Sequence, residues 1–177
     1  MCFATPAGSA PPRCTDSTAA RIATVGVLLL ACLAATPVTR LDRRVVDVVT
    51  AGDARSEREH AFAAEGATTG VTGGRTFRQT GAWMRYALNV FDDTEVTVAC
   101  TLLGADGVPL AFELVVEGQV VATRTLTSAS ATPSIVEVRV PFVITRGRTN
   151  ILVTIRATHG LTPALLEMRT IQDHLEH

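Results

Sequence analysis

At 177 residues the chain is long enough for one domain with a real core but hardly for two. Its formal net charge is −1, and its 16 basic residues, every one an Arg, form no stripe, which excludes a nucleic-acid partner held through its phosphates. Aromatic residues are only 5% of the chain, a low figure for a protein that recognises ligands by stacking.

The first apolar segment runs from Ile22 to Ala35, IATVGVLLLACLAA, and follows Arg13 and Arg21. It is short for a membrane span and is closely followed by Pro37 and Arg40. A basic start, an apolar middle and small residues near Ala34-Ala35 read as a secretory signal. Leu29-Leu30-Ala31-Cys32 also resembles a bacterial lipobox, which would place a lipid on Cys32, and a retained anchor is the third alternative. Residues 1–35 are therefore expected to be a leader, an apolar helix, and the remainder an extracellular or cell-envelope protein. No membrane span is expected in the mature form unless the leader is retained. Cys2, Cys14 and Cys32 fall in or before this leader, so a cleaved chain keeps Cys100 alone and forms no internal disulfide. Cys100 alternates with Val96, Val98 and Leu102, as an inert core residue would.

Residues 36–60 are charge-dense and mixed in sign, and read as an exposed linker with one short strand, Val45 to Val49. Residues 61–177 read as the folded domain. Beyond the linker come β-type runs at Arg75 to Arg78, Trp83 to Val90, Glu95 to Leu103, Ala111 to Glu117, Gln119 to Leu126, Ile135 to Val140, Asn150 to Ala157 and Leu165 to Ile171. Turn residues divide them, among them Asp92-Asp93, Gly104 to Gly107, Glu117-Gly118 and Thr145 to Arg148. Val96, Val98, Cys100 and Leu102 alternate with polar or small residues, as do Phe112, Leu114 and Val116, and Ile151, Val153 and Ile155. Half-buried antiparallel sheets give this period of two. Glu117-Gly118 suits a tight hairpin in which Gly supplies a positive φ. With no helical periodicity outside the leader, the expected fold is an all-β sandwich of about eight strands.

Reactive constellations are missing. His60, His159, His174 and His177 show no metal-ligand spacing, and there is no nucleophile elbow or Gly-rich phosphate loop. No catalytic residue and no cofactor is assigned. Asp92 and Asp93 are weighed as ligands of a structural Ca²⁺ against the alternative of a solvated turn.

The stretch Gly81 to Val90, GAWMRYALNV, carries the only Trp and the only Tyr. In a strand Met84, Tyr86, Leu88 and Val90 share an apolar face, while Trp83, Arg85, Ala87 and Asn89 share the other. Trp83 beside Arg85 and Asn89 offers a flat ring to a sugar, with polar groups for its hydroxyls. The alternative is that Trp83 packs beneath a crossing N-terminal segment such as Val45 to Val49. His60 has the same two readings, ligand or satisfied buried histidine.

The motifs Glu59-His60, Arg78…Gly81-Ala82-Trp83…Tyr86-Ala87-Leu88…Val90 and Phe112 to Gly118 occur here in the order seen in a known family. Val121 to Leu126, Val140-Pro141, Thr145 to Arg148, Ile151 to Ile155, Gly160 and Met168-Arg169 continue the order. Across about residues 46–171 the chain resembles the small β-sandwich domain appended to β-L-arabinofuranosidase-type enzymes of glycoside hydrolase families 127 and 146. Phe77 and Gln79 stand where that family tends to show Trp and Asp, and Ala61 where Asn is usual. The Trp83-to-Val90 segment is also similar to a strand of family 6 carbohydrate-binding modules.

The resemblance implies a jelly-roll, galactose-binding-like sandwich that binds substrate and does not catalyse, since the family's catalytic barrel has no counterpart here. It implies as partners a glycan, arabinofuranose-containing or similar, or a glycoside hydrolase catalytic domain. The candidate sugar contacts are Trp83, Arg85, Asn89, Arg78, His60 and Glu59. An interaction module that packs on a separate catalytic or envelope protein without touching sugar is the competing expectation.

Overall fold

The computed structural model describes residues 41–92, 94–127 and 132–175. The leader, Cys32 and Asp93 lie outside the described residues. Nine strands and two short helices follow one another: β1 (Leu41–Thr50), α1 (Ala54–Glu59), β2 (Ala63–Thr72), β3 (Arg75–Asn89), β4 (Val96–Leu103), β5 (Leu110–Val116), β6 (Gln119–Leu126), β7 (Ser134–Val140), α2 (Phe142–Thr145), β8 (Asn150–Ala157) and β9 (Ala164–Leu175).

The strands run β6-β5-β8-β3-β9-β4-β7, with β1 added to β9 and β2 to β3, and every pairing is antiparallel. β3 meets β9 at one register position only, Arg78↔Leu165, so the path folds there into two layers. One layer is β2-β3-β8-β5-β6 and the other β1-β9-β4-β7. Alternation decides what each turns inward. Met84, Tyr86, Leu88, Phe112, Leu114, Ile151, Val153 and Ile155 come from the first layer, and Val49, Val96, Val98, Cys100, Leu102, Leu165 and Met168 from the second. All are nearly or wholly inaccessible and form one continuous core, that of the all-β sandwich that the period of two implies. Burial pushes the Cys100 thiol up to about 12, so it stays a neutral packing group.

Several elements differ from the expectation. Arg75 to Arg78 and Trp83 to Val90 belong to one strand of 15 residues, because Gln79-Thr80-Gly81 passes through without a turn. Thr80 is buried, but its Oγ1 donates to Glu65 O at 2.6 Å and its N–H donates to Thr162 Oγ1 at 3.2 Å. Within 41–60 the chain forms a ten-residue strand and a helix rather than a connector with a five-residue strand. β1 pairs with β9 from Leu41↔Leu175 to Thr50↔Glu167, with a bulge between Val45 and Asp47. α1 starts at Asp53, whose carboxylate accepts from Ser56 N at 2.7 Å.

The β5–β6 hairpin places both Glu117 (φ 50°) and Gly118 (φ 79°) in the left-handed region. Glu117 bears that conformation as a non-glycine residue because its carboxylate is anchored twice. Oε1 accepts from Leu152 N at 2.8 Å, and Oε2 lies 3.0 Å from Arg148 Nη1.

Candidate functional site

β3 holds four of the six candidate contacts, and the geometry separates them. Trp83 and Arg85 stay together on the outer face of the first layer, both half-buried, with the Arg85 guanidinium 5.7 Å from the Trp83 ring centroid. The indole Nε1 donates to Glu65 Oε2 at 2.9 Å. In register, Glu65 of β2, Trp83 of β3, Arg156 of β8 and Glu113 of β5 form one row across four strands. Arg156 closes on Glu113, with Nε at 2.9 Å and Nη2 at 2.5 Å. Arg85 has no such acid among the described residues. Its Nε is sealed from solvent and has no hydrogen-bond partner among the described residues. Directly opposed neighbours on this face are about 5 Å apart.

β1 does not cover the indole. It pairs with β9 in the other layer, and Trp83 instead has Glu65, Arg85 and Arg156 for neighbours. Asn89 is exposed, and six residues of strand put it about 20 Å from Trp83. Its backbone N–H donates to Asp47 Oδ2 at 2.7 Å, and its carbonyl accepts from Thr170 Oγ1 at 2.8 Å.

Arg78 has the opposite parity to Trp83 and turns inward beneath α1. Its Nε and Nη2 donate to Glu57 Oε1 and Oε2 at 2.7 and 2.6 Å, and Nη1 to Thr69 Oγ1. Its guanidinium also lies 4.8 Å from the Phe62 ring centroid. Glu57 is 5% exposed and further accepts from Gly52 N at 2.8 Å and from Tyr86 Oη at 3.4 Å. Burial, with the Glu57 charge beside it, pushes the Tyr86 hydroxyl well above its ordinary range. Phe62 packs on Tyr86 with centroids 5.1 Å apart. This is a closed charge-paired knot between the helix and the core.

His60 is buried at the end of α1, with Nδ1 2.6 Å from Ser56 O and Nε2 3.1 Å from Asp47 Oδ1. Asp47 reaches it because the β1 bulge re-aims the side chain. Burial opposes the Asp47 charge, but hydrogen bonds from Asn89 N, His60 and Val48 N outweigh it and hold the carboxyl below its usual range. Glu59 is exposed and paired with Arg55 Nε at 3.0 Å.

Sequence reasoning missed Glu65, Arg156 and Glu113 around the indole, and Glu57 behind Arg78. No local pattern marks them, because their roles come from cross-strand register. Among the described residues no group of three or more His, Cys, Asp or Glu is placed to hold a metal ion. Asp92 is an exposed turn residue. No helix among the described residues is long and apolar enough to cross a membrane.

A family model, a family of unknown function (DUF6805), matches residues 40–171, nearly the whole described fold. The chain belongs to this DUF6805 family. Curated protein sequences give no match. Among solved structures, the DUF6805 sandwich is similar to a family 35 carbohydrate-binding module from Clostridium thermocellum. The TM-score is 0.54 at 11% identity, over 73% of this chain and 97% of that one. A family 35 module from Cellvibrio japonicus Abf62 gives 0.52 at 16% identity, over 76% and 96%. A family 115 4-O-methyl-α-glucuronidase with specificity for decorated arabinogalactans gives 0.53 at 13% identity, over 73% of this chain and 18% of the enzyme. These likenesses establish the jelly-roll fold of the DUF6805 chain.

Proposed function

We propose that this chain is a non-catalytic carbohydrate-binding module of the kind that accompanies glycoside hydrolases, and that it takes arabinofuranose-containing or related glycans after export to the cell exterior or envelope. The observation that carries the proposal is the half-buried Trp83 indole on a polar sheet face, with the Arg85 guanidinium 5.7 Å from its ring centroid and the Glu65 carboxylate at its Nε1. A sugar matches this face. Its C–H surface packs on the ring, and its hydroxyls accept from the guanidinium and donate to Glu65. Donors and acceptors of both charges stand together here, which suits a neutral polyol better than an anion. The fold it shares with family 35 modules supports the same assignment.

Because Trp83 is the only Trp, indole emission reports this face alone. Titration with arabinan oligosaccharides should give a saturable change in emission. By calorimetry, Trp83→Ala should weaken binding at this face by about 2 kcal/mol, the loss typical of an aromatic anchor. An unchanged spectrum at millimolar oligosaccharide would overturn the proposal. The alternative, a module that packs on a separate catalytic protein, draws its support from α2, where Val143 is 83% exposed.

A further inference from the structure

We infer that the Trp83 face takes an internal run of several residues of a linear neutral glycan, laid across the strands, with Glu113 and Arg156 as a further point of sugar contact beyond the indole. This rests on the carbohydrate-binding proposal above and deepens it by setting which part of a glycan is held. The row of Glu65, Trp83, Arg156 and Glu113 continues in register to Thr123 of β6. It therefore crosses the whole layer β2-β3-β8-β5-β6. Four inter-strand steps make the row about 19 Å long, far more than one sugar ring covers. Among the described residues β2 pairs only with β3 and β6 only with β5, so each end of the row is a sheet edge. Glu65 and Thr123, the terminal members, are both exposed. A site for a chain end encloses that end, as concave pockets do, whereas a row open on both sides holds the middle of a chain.

The pairing along the row leaves one atom of each charged group to a ligand. Glu65 meets the indole through Oε2, and Arg156 places both Nε and Nη2 on Glu113 Oε2. Glu65 Oε1, Arg156 Nη1 and Glu113 Oε1 make no hydrogen bond among the described residues. The order across the face is thus acceptor, ring, donor, acceptor. A hydroxyl both donates and accepts, so successive residues of one glycan meet all four. The same pairs hold these side chains in place before a ligand arrives, which lowers the cost of ordering them on binding. The Arg156 side chain is half-exposed and within reach of a ligand. Glu65 and Glu113 balance Arg85 and Arg156, a distribution that favours an uncharged chain. Beside the row, in register with Arg85, lie Ala63, Thr154 and Val115, whose short side chains leave room for the glycan.

The test is calorimetry of the full chain, beside Trp83 emission, with linear arabinan oligosaccharides from mono- to pentasaccharide and with the linear polymer. Affinity should rise about tenfold or more from mono- to trisaccharide. The polymer should carry several protein molecules per glycan chain, and reducing the terminal sugar of the pentasaccharide to its alditol should leave affinity unchanged. Glu113→Gln and Arg156→Gln should each flatten the rise with length. An emission response with one protein molecule per polymer chain and no gain with length would overturn the internal run and leave the Trp83 proposal standing. A gain with length that persists in both variants would remove Glu113 and Arg156 from the site, and the inference with them. Absence of heat and emission change at every length would overturn both proposals.

Discussion

At the scale of single residues, the same strand carries side chains of opposite purpose, and burial with pairing separates them. Arg78 and Arg85 are seven residues apart on β3, but Arg78 is clamped by Glu57 while Arg85 lies against the Trp83 indole. Arg78→Ala should therefore cost stability, about 3–5 kcal/mol, because it strands a buried carboxylate. Chemical denaturation measures this, and Arg78→Lys should recover only part, since an ammonium cannot repeat the two-pronged contact. Arg85→Ala should leave the unfolding midpoint nearly unchanged and weaken sugar binding instead.

Asp47 gives a pH signature. Its carboxyl is held below the ordinary range in the fold, so its contribution to stability is complete above about pH 4, near the unfolded value, and is lost as pH falls through the lower folded value. Asp47→Asn should narrow the stability gap to the wild type as acid is added below about pH 4, while at neutral pH the variant is the weaker by about 1–2 kcal/mol. A gap that stayed constant across that range would contradict the assignment. The sequence showed Trp83, Arg85 and the apolar face behind them, because alternation along one strand is a local property. It did not show Glu65 or Arg156, because cross-strand neighbours depend on register, and the bulges between Glu65 and Ala67 and between Val45 and Asp47 shift that register.

At the scale of elements, legibility followed apolar alternation. β4, β5 and β8 were readable because their inward positions are Val, Leu, Ile, Phe or Cys. β2 escaped notice because AAEGATTGVT offers small and polar residues on both faces, and every residue of it is exposed or half-buried. Its place is set by β3, not by its own hydrophobicity. α1 is too short for a period of 3.6 to appear, and the only written signal is Asp53 three residues before Ser56. Asp53→Ala should lower stability by about 1 kcal/mol through the lost cap. β1 was underrated because its charges suggested solvent, yet its backbone completes β9 and Val49 is fully buried. Proline at Val48 removes the N–H that donates to Asp47 Oδ1 at 2.9 Å, and should lower the thermal midpoint by loosening the Asp47–His60 contact. An unchanged midpoint would contradict that role for Asp47.

At the scale of the whole molecule, the fold presents a sealed core, a charge-paired knot under α1, and the Trp83 ring half-buried among charged groups on the outer sheet face. Fold class was readable from periodicity, but the chain order that folds one continuous path into two layers was not, because it depends on long-range pairing such as Arg78↔Leu165. The distribution of chemistry agrees with the proposed binding module: the buried Glu57 carboxylate is paired, the Cys100 thiol is neutral, and the half-buried Trp83 ring stands between Glu65 and Arg85. The most direct measurement is amide and indole chemical-shift mapping of the full chain titrated with an arabinan oligosaccharide. The account predicts saturable shifts at the Trp83 indole and Arg85, and none at His60 or Glu59. Spectra that stay unchanged at millimolar oligosaccharide would contradict it.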